Sequence, residues 1–265
     1  MNWVDTHAHL EDRAFDSDRA AVLTRCARME LGVLTVGSSV PSSHAAVRLA
    51  HRTRNVWASV GVHPHDARLV KPEDLGTIKQ MAEHPRVVAI GETGLDFYYE
   101  NSPRDVQIDV FKKHLELADS LDLPVVIHTR SALDDTLAIL TEWSGSHPLP
   151  QDKIRGVIHC FNTDYDSAEK YMEMGFYFSI GGYISYPSSA KFREDVKNLP
   201  LEKIMIETDC PFLPPQQYRG KRNEPSYCVL TAEAIASLKG LTLEELAEQT
   251  TLNAVKCFNL KDISI

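Results

Sequence analysis

The amino-acid sequence predicts an α/β fold: a (β/α)8 TIM barrel, one domain with extra C-terminal helices. Three observations lead there. The chain has 265 residues, close to the ~250 typical of such barrels. Eight short apolar segments begin at intervals of 20 to 37 residues, each followed by a helix-like stretch. Six of the eight end in histidine, aspartate or glutamate, and these barrels carry their chemistry at the C-terminal ends of strands.

The strands are expected at Trp3–Thr6, Val33–Gly37, Val56–Val62, Val87–Gly91, Pro124–His128, Gly156–Cys160, Phe176–Ile180 and Lys203–Thr208. They are runs of Val and Ile rather than clean alternations, as strands buried on both faces should be. Between them, Pro103–Leu121 spaces Val106, Val110, Leu117 and Leu121 among charges, and Ser131–Trp143 and Asp164–Met174 have polar starts, so all three read as helices. Two further helices, Tyr227–Leu238 and Thr242–Phe258, follow the eighth strand, the second opening on a Thr242-Leu-Glu-Glu245 capping box. An open doubly wound sheet would need a glycine-rich phosphate loop after the first strand, and DTHAHL (5–10) is not one. No linker or low-complexity segment divides the chain, so residues 1–265 are expected to form one domain.

A formal net charge of −9 argues against a broad basic surface for nucleic acid. It does not exclude phosphate substrates, because bound cations change the local sign of a site. No apolar run approaches the ~18 residues of a membrane span. MNWVDTHAHLEDR lacks a basic start and an apolar signal core, and the five cysteines form no CxxC pair, so a cytoplasmic protein with reduced thiols is expected.

The strand ends supply His7 and His9, His63, Glu92, His128, His159 and Asp209. His7 and His9 lie two apart on an extended segment and so face the same way. A single strand-end histidine is often only a capping or packed imidazole. A pair, joined by others and by acids in one mouth, points to ligands for a cation such as zinc or manganese. An acidic residue after an apolar strand must be paired, hydrogen-bonded or on a metal; for Glu92 or Asp209 the alternative is a salt bridge to a base such as Arg130. Six ligand candidates exceed what one tetrahedral ion uses, so two ions are expected, with the fourth-strand carboxylate able to bridge them.

The segments VDTHAHL (4–10), VGVHPHDA (60–67), IGETGLDFYY (90–99), PVVIHTR (124–130), VIHCF (157–161), IETDCPFL (206–213) and RGKRNEP (219–225) resemble the TatD-type metal-dependent deoxyribonucleases, within the amidohydrolase-like barrels. The tail TLNAVKCFNL (251–260) is similar to that family's C-terminal helix. The resemblance implies one metal on His7, His9, Glu92 and Asp209 and a second on Glu92, His128 and His159, with Mg, Mn or Zn as the divalent ion. Related barrels often bridge with a carboxylated lysine; Glu92 here resembles the nuclease branch.

Such a site suits metal-assisted hydrolysis of a phosphodiester. Asp209 is expected to orient the attacking water and accept its proton, and His63 to contact the phosphate or leaving group. His65 reads as a loop imidazole. Arg130 can grip phosphate bidentately or pair with Asp134 or Asp135. Asp5 and Glu207 are expected to orient imidazole or backbone groups behind the ligands. Arg219, Lys221 and Arg222, flanked by Tyr218 and Tyr227, suit a nucleic-acid strand, or else form a solvated surface. Phe97 is expected in the core, Tyr98 or Tyr99 as a stacking surface. The expected function is a deoxyribonuclease, an exonuclease on single strands or ends, acting as a monomer without membrane association. A small-molecule amidohydrolase, lactonase or phosphotriesterase and a non-catalytic metal scaffold are the alternatives.

Overall fold

A computed structural model of the chain describes residues 3–150, 153–261 and 263. Eight parallel strands close in sequence order, β1 (Trp3–Ala8), β2 (Leu31–Val36), β3 (Val56–Val60), β4 (Val87–Asp96), β5 (Val125–Arg130), β6 (Gly156–Ile158), β7 (Phe176–Ile180) and β8 (Ile204–Ile206). Asp5 pairing with Ile206 joins the first strand to the last. Helices α1 (Arg19–Arg28), α2 (Val40–Arg52), α3 (Asp74–Ala82), α4 (Arg104–Leu121), α5 (Leu133–Ser146), α6 (Tyr165–Glu173) and α7 (Ala190–Asn198) connect successive strands. α8 (Cys228–Lys239) and α9 (Leu243–Phe258) follow β8.

The uninterrupted apolar strands serve two cores. One face of each strand packs under the helices, as Val33, Ala58 and Ile127 do. The other fills the barrel with Val4, Leu34, Trp57, Val126, Val157, Tyr177 and Met205. Ala254, Cys257 and Phe258 of α9 join that inner cluster, and Asn253 Nδ2 donates to Leu201 O (2.8 Å) and Ile204 O (2.7 Å) at the start of β8. α9 thereby packs against the N-terminal end of the barrel, opposite the C-terminal end where such barrels carry their chemistry.

β4 runs five residues beyond its expected end at Gly91. Its register with β5 breaks between Ile90 and Thr93, then resumes with Gly94 beside His128 and Asp96 beside Arg130. At Gly94 (φ 140°) an added Cβ would lie 2.0 Å from His128 O, so only glycine lets the two backbones come together. Glycine, a strand breaker by propensity, is here what carries the strand past Glu92. β8, by contrast, ends at Ile206, short of the expected Thr208. Asp209 then takes up the left-handed region (φ 56°) while its N–H donates to His7 O at 2.9 Å. That turn leaves the ladder and brings its carboxylate beside β1.

Candidate metal centre

Two groups of donors meet at the mouth. In the first, His7 Nε2 lies 3.4 Å from His9 Nε2 and 3.4 Å from Glu92 Oε2. Asp209 Oδ1 is 3.8 Å from His7 Nε2 and 3.6 Å from His9 Nε2. In the second, Glu92 Oε1 is 3.0 Å from both His128 Nδ1 and His159 Nε2, which are 3.4 Å apart. One carboxylate therefore turns one oxygen to each group. Ligands held ~2.1 Å from a common ion are separated by about 3.0 Å in an octahedral arrangement and about 3.4 Å in a tetrahedral one. The spacings of His7 to His9 and Glu92, and those of Glu92, His128 and His159, fit ligands around a cation, while Asp209 at 3.6 and 3.8 Å stands slightly farther off.

The outer ring atoms fix which inner nitrogens carry lone pairs. His9 Nδ1 faces Val36 O at 2.8 Å and Glu11 Oε1 at 3.4 Å. His128 Nε2 faces Asp96 Oδ2 at 3.2 Å, and His159 Nδ1 faces Glu207 Oε1 at 3.4 Å. For His9 and His128 the outer partner accepts a hydrogen bond, so in the neutral ring the proton lies outward and the inner nitrogen is bare, as a metal ligand requires. His159 Nδ1 lies near Glu207 without a hydrogen bond. His63 is the reverse. Its Nδ1 accepts from His65 N–H at 3.1 Å, which leaves the proton on Nε2, 3.5 Å from Glu92 Oε1. In that tautomer His63 is placed to donate, although it also forms a donor group with Glu92 and His128 that could hold an ion.

Bare nitrogens at 3.0 Å from a carboxylate oxygen repel it unless positive charge lies between them. Burial is the largest influence on each group, and by itself it disfavours charge. The carboxylates of Asp209 and Glu11 nonetheless hold His9 well above the usual imidazole range. Glu92 and Glu207 do the same for His159, and Asp96 and Glu92 raise His128. Burial pushes His7 down, reinforced by His159, whose ring stacks on it at 3.8 Å. The surrounding imidazoles hold Glu92 well below the carboxylate range despite its burial. The cavity demands cationic charge, and its donor set can hold it as a metal.

Behind the ligands, Asp5 Oδ1 accepts from His7 N–H (3.2 Å) and Thr208 N–H (3.0 Å), and its Oδ2 from Thr208 Oγ1 (2.6 Å). It ties β1 to the segment bearing Asp209, and burial pushes its carboxyl up to about 8. Glu207 accepts from Cys160 N–H at 2.8 Å beside His159.

The substrate-facing residues divide. Arg130 is exposed, its guanidinium over the rings of Tyr98 (4.2 Å) and Tyr99 (4.7 Å) rather than on Asp134 or Asp135. Phe97 is buried. Arg219 lies over Tyr186 (4.4 Å) and Lys221 over Tyr218 (5.7 Å), itself stacked on Tyr227. Arg222 does not match the expected phosphate contact. Its two guanidinium nitrogens bind the carboxylate of Asp18 at 2.6 and 2.7 Å, and the group covers Phe15, so it pins the loop to the start of α1. His65, read as a loop imidazole, donates its Nε2 proton to Asp96 Oδ2 at 2.9 Å.

Three residues went unread in the sequence. Asp96 joins His65 to His128, and its place four residues beyond Glu92 on one strand was the available signal. Glu11 repeats the two-residue spacing of His7 and His9, and holds Thr35 as well as His9. Asn223 is fully buried and donates from Nδ2 to Thr208 O and Phe212 O, both at 2.7 Å; no local pattern marks it.

A closed parallel barrel whose mouth gathers imidazoles and carboxylates at ligand spacing defines the metal-dependent hydrolase class. Residues 4–259 match the family described as TatD related DNase, and the chain belongs to that family. An uncharacterized metal-dependent hydrolase of Bacillus subtilis (strain 168), YabD, is 40% identical over 257 residues, covering 97% of this chain and 98% of its own. The 3'-5' ssDNA/RNA exonuclease TatD of Erwinia billingiae is 35% identical over 263 residues, covering 97% and 98%. The crystal structure of YJJV, a TatD homolog from Escherichia coli K12, superposes with a TM-score of 0.89 at 26% identity, covering 97% and 98%. The protein is a metal-dependent hydrolase. Among its described residues no helix is long and apolar enough to cross a membrane.

Proposed function

We propose that this hydrolase cleaves the phosphodiester bonds of DNA, as an exonuclease on single strands or ends, with two divalent cations (Mg, Mn or Zn) that His7, His9, Glu92 and Asp209 and, with Glu92 again, His128 and His159 would hold. The observation that carries the reading is Glu92 turning Oε2 to His7 and His9 and Oε1 to His128 and His159. Cations held there would supply Lewis-acid polarisation of a phosphoryl oxygen and lower the pKa of a water. The chain does the rest. Asp209 keeps Oδ1 beside the imidazoles of His7 and His9 with its side chain partly exposed, and it orients the attacking water and takes its proton. His63 donates its Nε2 proton in a hydrogen bond to a phosphoryl or leaving oxygen. Arg130, held flat by Tyr98 and Tyr99, pairs with the phosphate, and Arg219 and Lys221 meet the strand farther along.

The family membership and the name of the Erwinia relative support a nucleic-acid substrate. A small-ring substrate has no use for two exposed tyrosines with an arginine on them, which favours a strand over a small-molecule amide, lactone or phosphotriester. In this reading the whole chain acts as one barrel domain, monomeric and cytoplasmic. The test is hydrolysis of end-labelled single-stranded and duplex oligonucleotides with Mg²⁺, Mn²⁺ or Zn²⁺ and a chelator control. Metal-dependent shortening from one end is expected; turnover confined to small esters or amides would refute the reading.

A further inference from the structure

We infer that Phe212, backed by Leu213, is a stacking surface for an unpaired nucleobase beside the scissile phosphate; this rests on the nuclease reading above. Among the described residues the exposed large hydrophobics are Leu69, Tyr98, Tyr99, Phe212 and Leu213. All five lie on segments that follow β3, β4 or β8, at the mouth. Exposed apolar groups gathered on one face mark a binding surface.

The two aromatic groups flank the metal centre. The Phe212 ring lies 5.9 Å from that of His9, in the first donor group. Tyr99 lies 5.5 Å from His65, which donates to the same Asp96 carboxylate as His128 of the second group. A phosphate at the centre thus has an aromatic surface at either end of the donor array.

The backbone beneath Phe212 is held at each step while the residue stays 54% exposed. Its N–H donates to Asp209 O (2.9 Å) and its carbonyl accepts from buried Asn223. Leu213 takes the left-handed region (φ 45°), disfavoured for a branched side chain, and Pro214 O accepts from Tyr186 Oη at 2.8 Å. A strained, fastened backbone that leaves its apolar side chains in water gains nothing for folding and preorganises them for a ligand. A phenyl ring has no hydrogen-bonding atoms, so it takes the π-face common to all bases and reads no sequence. A base stacked in an intact duplex cannot offer that face, which makes Phe212 a selector for single strands and frayed ends.

The test is a double-mutant cycle between Phe212→Ala and abasic substrates, with an abasic site placed in turn at each of the three nucleotides nearest either end of a single-stranded oligonucleotide. Phe212→Ala should raise KM for the normal strand about 10-fold, within the range for stacking of one base. At one position the abasic site should weaken wild-type binding as much, and the two changes should not add. Phe212→Tyr, which keeps the ring, should restore KM, and unchanged melting of both variants separates binding from folding. If wild type cleaves strands but Phe212→Ala is neutral, or adds fully to every abasic site, this inference alone is overturned. If wild type cleaves no oligonucleotide with any of the three metals, the nuclease reading falls and takes this inference with it.

Discussion

Replacing Asn223 should damage both the fold and the catalytic turn, by an amount its contacts set. The side chain is fully buried, donates to Thr208 O and Phe212 O at 2.7 Å and accepts from Glu224 N–H at 3.0 Å. In Asn223→Ala, Phe212 O can turn to water, since that residue is exposed. Thr208 O and Glu224 N stay dry, and two such groups at ~1–3 kcal/mol each give a loss of about 4 kcal/mol. For a chain of this size ~2–4 °C per kcal/mol translates this into a fall in Tm of about 10 °C. Asp209 follows Thr208 directly in a left-handed turn, so kcat should drop at least ~10-fold as its carboxylate shifts. Asn223→Asp keeps the volume and sets oxygen against two carbonyls, so it should lose at least as much. Calorimetry, metal analysis and kcat on bis-p-nitrophenyl phosphate check the chain of reasoning. If both variants melt within ~2 °C of wild type and turn over normally, Asn223 does not hold the catalytic turn.

Asp209→Asn should lower kcat at least ~10²-fold in saturating metal with the fold intact; near-normal turnover would give the proton to another group. Asp96→Asn removes the charge that holds the His128 proton outward and should weaken metal retention ~10–100-fold in a chelator competition. His7→Ala with His9→Ala should leave a folded barrel by circular dichroism that purifies with less metal than wild type. The loop clamp predicts a pH dependence. Hydrogen bonding to Arg222 lowers Asp18, and for Glu224 burial is outweighed by Arg25 and Ser226, so both carboxyls titrate below their ordinary 3.8 and 4.5. A carboxyl lowered in the folded state stabilises fully above its unfolded value and loses that effect as pH falls through the folded one. Melting temperature should therefore decline below about pH 5, and less steeply in Arg25→Ala with Arg222→Ala.

By itself the sequence determined the number and order of the strands, because buried parallel strands must be short apolar runs and helices must repeat near 3.6 residues, both local properties. It also placed His7, His9, His63, Glu92, His128, His159 and Asp209 at the strand ends, where such barrels carry their polar groups, and the family resemblance implied which six of them would hold metal. Closure of the barrel decided what those donors do. Glu92 addresses two groups because Gly94 lets β4 continue against β5, a contact between backbones that no propensity at Gly94 foretells. Arg222 has the composition of a phosphate ligand, but closure sets it beside Asp18, 204 residues away, and the pair makes it a clamp. Asp96 and Asn223 act through partners distant along the chain, among them His128 and Thr208, 32 and 15 residues off. Which nitrogen of His9 and of His128 stays bare likewise follows from Val36 and Asp96, brought behind the rings by neighbouring strands. Residue type and spacing state which groups can bind or donate; only tertiary proximity assigns each its partner, because a hydrogen bond is satisfied in space and not along the chain.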